Sequence, residues 1–382
     1  MKRKITVTTG TRSEYGFLRP ILKEINQNKK LELYLIVTGM HLSKDYGKTI
    51  NEIKMDGFKI SKKFPMIPEK DSTYSMSVAL GKGIIEFSKI FKSLKPHVNL
   101  ILGDRDEMLA STIAAYHMNI PNAHIHGGDK SQGGIDEYNR HAITKMSNIH
   151  FAVSKHSKRR IIQLGEDPKF VFLTGSPSID EIKLKQYSSI DYLKRKYSIN
   201  FSGNEILLLQ HSVTTEIDKS KSQILNILKA LKNFENTIIA ILPNSDPGRE
   251  DIRSQLTKFG GKNKNFYLFN SIPRKDYLGM IKNSGVLVGN SSSGMIEASY
   301  FSTPVVNIGI RQKDREGGNN IINVTNLNEK SIHQAIKKAL VLDKNSIKPS
   351  NIYGNGLSSK KIVKYLEKIP LTEQLIKKQI SY

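Results

Sequence analysis

Residues 98–145 read VNLILGDRDEMLASTIAAYHMNIPNAHIHGGDKSQGGIDEYNRHAITK, and this stretch decides the fold of the chain. Two short apolar runs, Val98–Leu102 and Asn122–Ile125, predict strands. Each run is followed by a stretch with helical spacing, at Glu107–His117 and at Asp136–Met146. Strands that alternate with helices in this way are typical of a parallel, doubly wound sheet.

The same alternation extends to both sides of this stretch. The run Leu31–Val37 is apolar throughout, as expected of a strand with both faces covered. Other strands are predicted at Lys4–Thr8, Lys59–Phe64, His150–Val153 and Val171–Leu173. Helices are predicted at Tyr15–Gln27, Ser43–Met55, Ser75–Leu94 and Lys155–Leu164.

A second alternating series follows a polar helical connector at Glu181–Gly203. Its strands are predicted at Ile206–Leu209, Thr237–Ile241, Phe266–Phe269, Val286–Val288 and Val305–Asn307, and closing helices at Glu329–Leu340, Ser358–Leu366 and Thr372–Gln379. We therefore expect an α/β fold of two Rossmann-like doubly wound domains that face a central cleft. The expected domains are residues 1–180, joined by the C-terminal helix within 358–382, and residues 181–357.

The composition predicts a globular cytoplasmic protein. Of the 382 residues, 38% are hydrophobic and 25% are charged. No apolar run approaches the roughly 20 residues that a membrane-spanning helix requires. The basic start has only a strand-length apolar run, which is too short for the core of a signal peptide. Because there is no Cys, disulfides, thiolate catalysis and cysteine-bound metals are excluded.

The formal net charge of +24 raises the question of nucleic-acid binding. Lys and Arg are spread along the whole chain, however, without a run of five and without a recognisable nucleic-acid module. A lysine-rich solvated surface explains the charge, and its field favours an anionic ligand such as a nucleotide diphosphate.

Titratable side chains crowd the stretch with which we began, which indicates an active site. Asp104 follows a strand directly and is a candidate catalytic carboxylate. Asp104 and Asp106 form a D-x-D pattern, a weak signal for a metal site because Arg105 lies between them. His124 and His126 alternate with Ile125 along a strand, and we expect His124 to be a buried core residue.

Strand-to-helix turns supply candidate phosphate sites. The segment GNSSSGMIEA (289–298) follows a strand and opens a helix, so its hydroxyls, backbone amides and helix dipole could bind a diphosphate. Ser291, Ser292 and Glu297 are the candidate ligand-binding residues. The structural alternative is an ordinary helix cap. In TGTRSEYG (9–16) we expect the turn after the first strand to expose backbone N–H groups, and Arg12 to supply a cation for a phosphate. The structural alternative is a tight βα turn with a surface arginine. His211 and Asn244 follow two further strands.

Taken in order, these motifs resemble the hydrolysing UDP-N-acetylglucosamine 2-epimerases of sialic-acid-type biosynthesis. The similarity runs from about residue 4 to 320 and is carried by the motifs TGTRSEYG (9–16), VTGMHL (37–42), LGDRDEMLA (102–110), HIHGG (124–128), IDEYNRHAITK (135–145), the His211 turn, GNSSSGMIEA (289–298) and PVVNIGIRQ (304–312). The resemblance implies a GT-B-like fold, a UDP-sugar substrate and a homodimer, with neither a metal nor another cofactor.

The resemblance also implies roles by position. The catalytic candidates are Asp104, His126, Asp136 and His211, and the substrate-binding candidates are Arg12, Asp129, Glu137, Arg140, Asn244, Ser291, Ser292, Glu297 and Arg311. His126 stands where many relatives have glutamate, and GGD replaces the commoner GGE at Asp129. Ser212 replaces the usual proline, and Phe17 replaces a lysine of the non-hydrolysing relatives. The second acid–base group is therefore left open among His126, Asp129 and Glu137.

The expected reaction converts UDP-N-acetylglucosamine and water to N-acetylmannosamine and UDP. UDP leaves C1 as the C2 proton departs, and water adds to the resulting glycal. An alternative substrate is a UDP- or GDP-linked 2,4-diacetamido-2,4,6-trideoxy sugar of a legionaminic-acid-type pathway. A GT-B glycosyltransferase and a non-catalytic sugar-nucleotide or RNA-binding protein are the rival classes.

Overall fold

The computed structural model describes residues 2–70 and 72–381 of the chain. The chain divides into two compact units. The first comprises the residues up to Asp129, Asp136–Leu184 and the residues from Tyr353 onward. The second comprises Lys130–Ile135 and Lys185–Ile352. Both ends of the chain therefore belong to the same unit.

We number the elements in chain order. The strands are β1 (Arg3–Thr9), β2 (Leu31–Val37), β3 (Ile60–Lys63), β4 (Val98–Leu102), β5 (Asn122–Ile125), β6 (Ile149–Ala152), β7 (Val171–Leu173), β8 (Ile206–Leu209), β9 (Ile238–Ile241), β10 (Phe266–Phe269), β11 (Val286–Gly289), β12 (Val305–Ile308) and β13 (Ile321–Val324). The helices are α1 (Arg12–Gln27), α2 (Ile50–Met55), α3 (Thr73–Leu94), α4 (Asp106–His117), α5 (Ile135–Lys145), α6 (Lys155–Gln163), α7 (Ser178–Lys183), α8 (Ile190–Tyr197), α9 (Ser220–Leu231), α10 (Arg249–Gly260), α11 (Arg274–Asn283), α12 (Ser292–Met295), α13 (Glu297–Tyr300), α14 (Glu329–Leu340), α15 (Ser358–Lys368) and α16 (Glu373–Ile376).

Each unit is built on one parallel sheet. The strand order of the first sheet is β3-β2-β1-β4-β5-β6-β7, and that of the second is β10-β9-β8-β11-β12-β13. In both sheets the order reverses beside the first strand, between β1 and β4 and between β8 and β11. Ligands of doubly wound sheets bind outside the carboxyl ends of the strands at such a reversal, called the switch point. The α/β fold expected from the sequence is thus confirmed.

Alternating residues of the first sheet face two helical layers. Leu35 packs in a core with Leu18 of α1 and Ile362 of α15. Its neighbour Ile36 packs instead with Phe87 of α3 and Ala114 of α4. Both faces of the sheet are therefore covered, which explains why the C-terminal part of β2 is buried and apolar on both sides. In the second unit, α9 and α14 pack in one core with alternating residues of the strands.

Four expectations for the elements need correction. The strand β13 has no counterpart in the sequence prediction. The helix expected at Ser43–Met55 shortens to α2, because Gly47 and Lys48 have φ angles of 85° and 47°. The connector at Glu181–Gly203 contains parts of two helices, α7 and α8, rather than one. The last predicted helix, Thr372–Gln379, is reduced to α16.

Across the described ranges, the length and apolar character needed to span a bilayer do not occur together in any helix.

Candidate active site

The switch point of the first unit collects the candidate residues of its strand ends. Arg12 opens α1 after β1, Asp104 follows β4, and His126 follows β5. Because β1, β4 and β5 are neighbours in the sheet, their carboxyl ends lie side by side. Sequence and topology therefore bring these three residues to one edge of the first sheet.

The turn after β1 differs from the expectation in one respect. We expected it to expose backbone N–H groups, but those of Gly10 and Thr11 both donate to the Glu14 carboxylate at 2.9 Å. The Thr11 hydroxyl accepts the N–H of Glu14 in return, so the two side chains cap α1. Burial, together with the nearby Glu107 carboxylate, raises the pKa of Glu14 to about 7. Arg12 is left as the candidate anion-binding group of this turn.

Asp104 lies beside a buried cation. The Arg140 guanidinium of α5 donates to the Asp104 carboxylate and, at 3.4 Å, to the backbone carbonyl of His126. Arg140 is 4% exposed. The other carboxylate of the D-x-D pattern, Asp106, accepts from the Asn139 amide at 2.9 Å. Asp104 thus pairs with a cation, and Asp106 accepts from a neutral amide.

The two histidines of β5 and the following loop differ as the sequence predicted. His124 is fully buried, with its ring hydrogen-bonded to the Gly103 carbonyl at 2.7 Å and to the Thr144 hydroxyl at 3.2 Å. Burial lowers the pKa of His124 to about 3. His126 instead contacts the Asp129 carboxylate, with Nδ1 and Oδ2 at 2.9 Å. The expectation that His124 is a core residue is confirmed.

Asp136 and Glu137 occupy the first turn of α5, where the helix dipole favours carboxylates. Glu137 is hydrogen-bonded to His141, one turn further on, at 3.0 Å. Both side chains of this pair are about one-third exposed (29% and 32%). Asp136 and Glu137 are each partly exposed.

The second unit shows the same arrangement at its own switch point. His211, Asn244, Ser291 and Arg311 follow β8, β9, β11 and β12 respectively, within three residues of each strand end. These strands are contiguous in the sheet, in the order β9-β8-β11-β12. The candidate residues of the second unit are therefore brought to one edge of its sheet.

Asn290 links the loops after β8 and β11. Its side-chain amide exchanges hydrogen bonds with the backbone of His211, at 2.7 and 2.9 Å. Its own carbonyl accepts from Arg311 and Gln312, both at 3.2 Å. His211 Nδ1 accepts the N–H of Asn244 at 3.4 Å, which leaves the proton of a neutral His211 on Nε2. Asn290 thereby holds His211 and Arg311 in place.

The serine-rich loop approaches the sheet closely. Gly289 has a φ of 129°, and a side chain there would collide with the Leu209 carbonyl, so only glycine fits. Ser291 caps α12 by accepting the N–H of Ser293 at 3.3 Å, and Ser292 is partly exposed. The expected single helix is two short ones, α12 and α13, which meet at Ile296. Glu297 therefore begins a new helix.

Glu297 is fully buried and pairs with Arg274 of α11, with Oε1 and Nη1 at 2.8 Å. Within the described ranges, its second oxygen has no hydrogen-bond partner. Tyr277, one turn further along α11, lies beside this pair. Burial raises the pKa of the Tyr277 hydroxyl to about 12, and the negative charge of Glu297 contributes to the increase. A buried carboxylate with an unused oxygen is suited to accept ligand hydroxyls.

Several residues of these networks escaped the sequence analysis. Arg274, Tyr277 and Asn290 lie at the second site, and Ser157 and Ser176 lie near His126. Asn290 stands inside the serine motif and follows a strand, so its position was a usable signal. Arg274 was missed because its partner, Glu297, lies 23 residues later in the chain. The residues around Arg274 give no local sign of this ion pair.

Two doubly wound units with charged and polar side chains at both switch points define a class, the GT-B-like α/β enzymes of nucleotide sugars. A solved structure of the UDP-GlcNAc 2-epimerase of Methanocaldococcus jannaschii with UDP-GlcNAc and UDP has this fold. It superposes with a TM-score of 0.79 at 20% identity, covering 95% of this chain and 99% of that one.

The family is shown by sequence. The model described as UDP-N-acetylglucosamine 2-epimerase matches residues 23–367, and the chain belongs to this family. It is 39% identical over the full length of both chains to the UDP-N,N'-diacetylbacillosamine 2-epimerase (hydrolyzing) of Legionella pneumophila. It is 34% identical to the UDP-N-acetylglucosamine 2-epimerase of Neisseria meningitidis, over 90% of this chain and 89% of that one.

Proposed function

We propose that the protein is a hydrolysing 2-epimerase whose substrate is UDP-N,N'-diacetylbacillosamine, a UDP-linked 2,4-diacetamido-2,4,6-trideoxy sugar. The observation that carries the proposal is the full-length similarity, at 39% identity, to the relative named for this reaction. This substrate replaces UDP-N-acetylglucosamine as the first choice, although the chemistry expected at C1 and C2 is the same for both.

In the proposed reaction a base removes the C2 proton while the C1–O bond breaks. The electrons of the C–H bond form the C1=C2 double bond, and those of the C–O bond leave with UDP. Water then adds its hydroxyl to C1, and a proton returns to C2 on the opposite face, which inverts that carbon. The products are UDP and the free manno-configured sugar. The protein must supply proton-transfer groups and cations or dipoles for the departing diphosphate.

The first unit supplies candidate groups for the sugar chemistry. Asp104, His126 and Asp136 are the proposed proton-transfer groups, and a carboxylate near C1 also stabilises positive charge that develops there. The cation of Arg140 lies beside Asp104. Arg12, Glu137 and Arg140 are proposed to bind the substrate.

The second unit supplies candidate groups for the leaving group. Ser291, Ser292 and Arg311 are proposed to bind the diphosphate, and Glu297 the ribose hydroxyls. Asn244 is proposed as a further nucleotide contact. His211, whose neutral form carries its proton on Nε2, is proposed to donate a proton as UDP departs.

The test is incubation of the protein with the two UDP-sugars and the GDP-linked trideoxy sugar in heavy water, followed by ¹H and ³¹P NMR. We expect release of UDP, one deuterium at C2 of the free sugar, and the highest kcat/KM for UDP-N,N'-diacetylbacillosamine. UDP release only after addition of an acceptor sugar would instead indicate a glycosyltransferase. Recovery of a UDP-linked manno sugar would indicate a reversible epimerase.

UDP-N-acetylglucosamine is the second candidate substrate. The similarity to the Neisseria meningitidis protein favours it, although that protein is less similar and is matched over a shorter region. A higher kcat/KM for UDP-N-acetylglucosamine in the same experiment would reverse the order of the two substrates. The homodimer and the cytoplasmic location stay predictions.

A further inference from the structure

A chain of buried hydrogen bonds surrounds His126 in the first unit. Nδ1 of the imidazole lies 2.9 Å from Asp129 Oδ2, and Nε2 lies 3.0 Å from the Ser176 hydroxyl. The other Asp129 oxygen accepts from Ser157 at 2.6 Å. His126 is 3% exposed, and Asp129 and Ser176 are fully buried. Both ring nitrogens of His126 are therefore engaged by side chains from other parts of the unit.

The backbone and the packing fix the ring in this position. His126 has a φ of 67°, in the left-handed region that non-glycine residues rarely adopt. Gly128, with a φ of 70°, has no space for a side chain because the Ser157 carbonyl of α6 lies against it. The Phe17 ring of α1 stacks on the imidazole, with centroids 5.6 Å apart. Strained residues held in this way by their surroundings cluster at functional sites.

The hydrogen-bond partners determine which nitrogen carries the proton. An ionised Asp129 can only accept, so Nδ1 must be protonated, and Nε2 of the neutral ring then accepts the hydrogen of the Ser176 hydroxyl. When the ring is doubly protonated, Nε2–H donates to Ser176 instead. The Ser176 hydrogen then turns to the Ser178 hydroxyl, 3.4 Å away. The arrangement thus accommodates both charge states of His126 by rotation of one hydroxyl.

We propose that Asp129 and Ser176 are positioning residues for His126. The Asp129 carboxylate fixes the Nδ1–H tautomer of His126, and the Ser176 hydroxyl fixes the position of Nε2. This assignment rests on the proposed function, because it makes His126 the second acid–base group of the epimerase. Both oxygens of Asp129 are engaged by side chains of the same unit, His126 and Ser157, so Asp129 serves His126 rather than the substrate. Glu137 is paired with His141 and takes no part in this chain.

The surroundings of His126 hold further charged groups. Arg140 donates to its backbone carbonyl, and Asp104 accepts from the same guanidinium. The His124 ring is close enough to His126 for the two imidazoles to interact electrostatically. None of these groups is hydrogen-bonded to a ring nitrogen in the part of the chain described. The tautomer therefore depends on Asp129 and Ser176, and a tautomer measurement tests the proposal directly.

The experiment is ¹⁵N NMR of the full chain labelled at histidine, with the His126 signals assigned by comparison with His126→Gln. We expect the Nδ1–H tautomer in the wild type. Asp129→Asn should shift the ring toward the Nε2–H tautomer, because an amide can donate to Nδ1. Ser176→Ala should keep the tautomer but move the Nε2 resonance toward that of a nitrogen without a hydrogen bond. Ser147→Ala is the matched control, since Ser147 is buried and its hydroxyl donates to the Ile143 carbonyl of α5.

Kinetics on the UDP-sugar form the second arm. We expect Asp129→Asn and Ser176→Ala to lower kcat about 10- to 100-fold with little change in KM, as is usual when a partner that orients a functional group is lost. Ser176→Thr, which keeps the hydroxyl, should restore most of the activity. Urea unfolding of each variant separates these effects from loss of the fold.

The proposal would be overturned if His126 of the wild type had the Nε2–H tautomer, or if the tautomer were the same in Asp129→Asn as in the wild type. The wild-type measurement is informative even if a variant does not fold. The NMR arm needs no substrate. The expected tautomers in a protein that turns over no nucleotide sugar would therefore refute the proposed function and leave the assignment of Asp129 and Ser176 to His126 intact.

Discussion

At the scale of single residues, the partner of a carboxylate separates Asp104 from Asp106. Both belong to the same D-x-D pattern, but Asp104 pairs with the Arg140 guanidinium and Asp106 with the neutral Asn139 amide. The sequence already favoured Asp104 as the catalytic carboxylate, because it follows a strand directly.

The first prediction concerns this pair. We expect Asp104→Asn to lower kcat by about 10²- to 10⁴-fold, the range typical of a lost proton-transfer group. UDP binding, measured by calorimetry, should stay close to that of the wild type. Asp106→Asn is the control, because an asparagine oxygen can still accept from Asn139, and most of its activity should remain. Equal losses in the two variants would contradict the ranking.

The buried pair of Arg274 and Glu297 carries the second prediction. Arg274→Met should lower the free energy of unfolding by about 3–5 kcal/mol, because it leaves a buried carboxylate without its cation. The double variant with Glu297→Gln should recover much of this loss. Urea unfolding of both single variants and of the double variant measures the coupling. An Arg274→Met protein as stable as the wild type would show that the pair has no structural role.

The sequence identified candidate site residues at strand ends more readily than residues that act through a distant partner. His124 was expected in the core because of its alternation with His126, and the structure agrees. Ser176 lies in a turn 50 residues from His126, and Arg274 lies within an ordinary helix. Their contacts arise only when the sheet brings distant segments together, so no local pattern contains them.

At the scale of elements, strands with an unbroken apolar run were the most predictable parts of the chain. β7, β8 and β10 have the boundaries that their apolar runs predicted, and so do β2 and β4. β13 was missed because the exposed Asn323 interrupts its apolar residues. α2 was overestimated because the positive φ of Lys48 cannot be seen in the residue type. Short interrupted runs and backbone conformation are thus what the pattern left out.

The C-terminal segment gives the third prediction. Lys378 donates to the Glu166 carboxylate at 2.6 Å and to the carbonyls of Lys145 and Ser147 at 2.5 and 2.7 Å. Burial alone would raise the pKa of Glu166, but hydrogen bonds from His150, Lys145 and Lys378 lower it to about 2. We expect Lys378→Ala to reduce the free energy of unfolding by about 1.5–3 kcal/mol, the range for a lost charged hydrogen bond. The measurement is urea unfolding.

The adjacent lysine is the matched control for this prediction. Lys377 pairs with Glu373 on the surface, with both side chains about three-quarters or more exposed (74% and 84%). Exposed pairs of this kind contribute little to stability, so Lys377→Ala should unfold close to the wild-type midpoint. A loss as large in Lys377→Ala as in Lys378→Ala would mean that the contacts of Lys378 do not anchor the segment.

At the scale of the whole molecule, buried titratable groups of the first unit determine its response to pH. Burial lowers the pKa of His41 and of His124 to about 3, whereas an unfolded histidine titrates near 6.5. The unfolded chain thus binds protons that the folded unit excludes, and stability falls as the pH decreases from about 6.5 toward 3. Glu14 acts in the opposite sense, since its raised pKa gives stability that is lost as the pH rises from 4.5 through 7.

The fourth prediction follows from the balance of these groups. Near pH 5.5 the three buried histidines with lowered pKa values, His41, His124 and His150, outweigh Glu14. The unfolded chain therefore holds at least about one extra proton, and the free energy of unfolding should rise by at least about 1.4 kcal/mol per pH unit. Urea unfolding at several pH values from about 5 to 6 measures this slope. His124→Gln should make the slope smaller, whatever its effect on stability at neutral pH. Stability that increases on acidification would refute the buried neutral histidines.

The return of α15 to the first unit has a consequence for how the protein is made. This helix packs on the same core as α1, whereas the whole second unit lies between them in the chain. A ribosome releases all the strands of the second unit before it releases α15. The second unit can therefore complete its fold during synthesis, while the first must wait, with part of its apolar surface uncovered, until the last segment emerges. We therefore expect nascent chains that end before α15 to expose the apolar core surface that this helix covers.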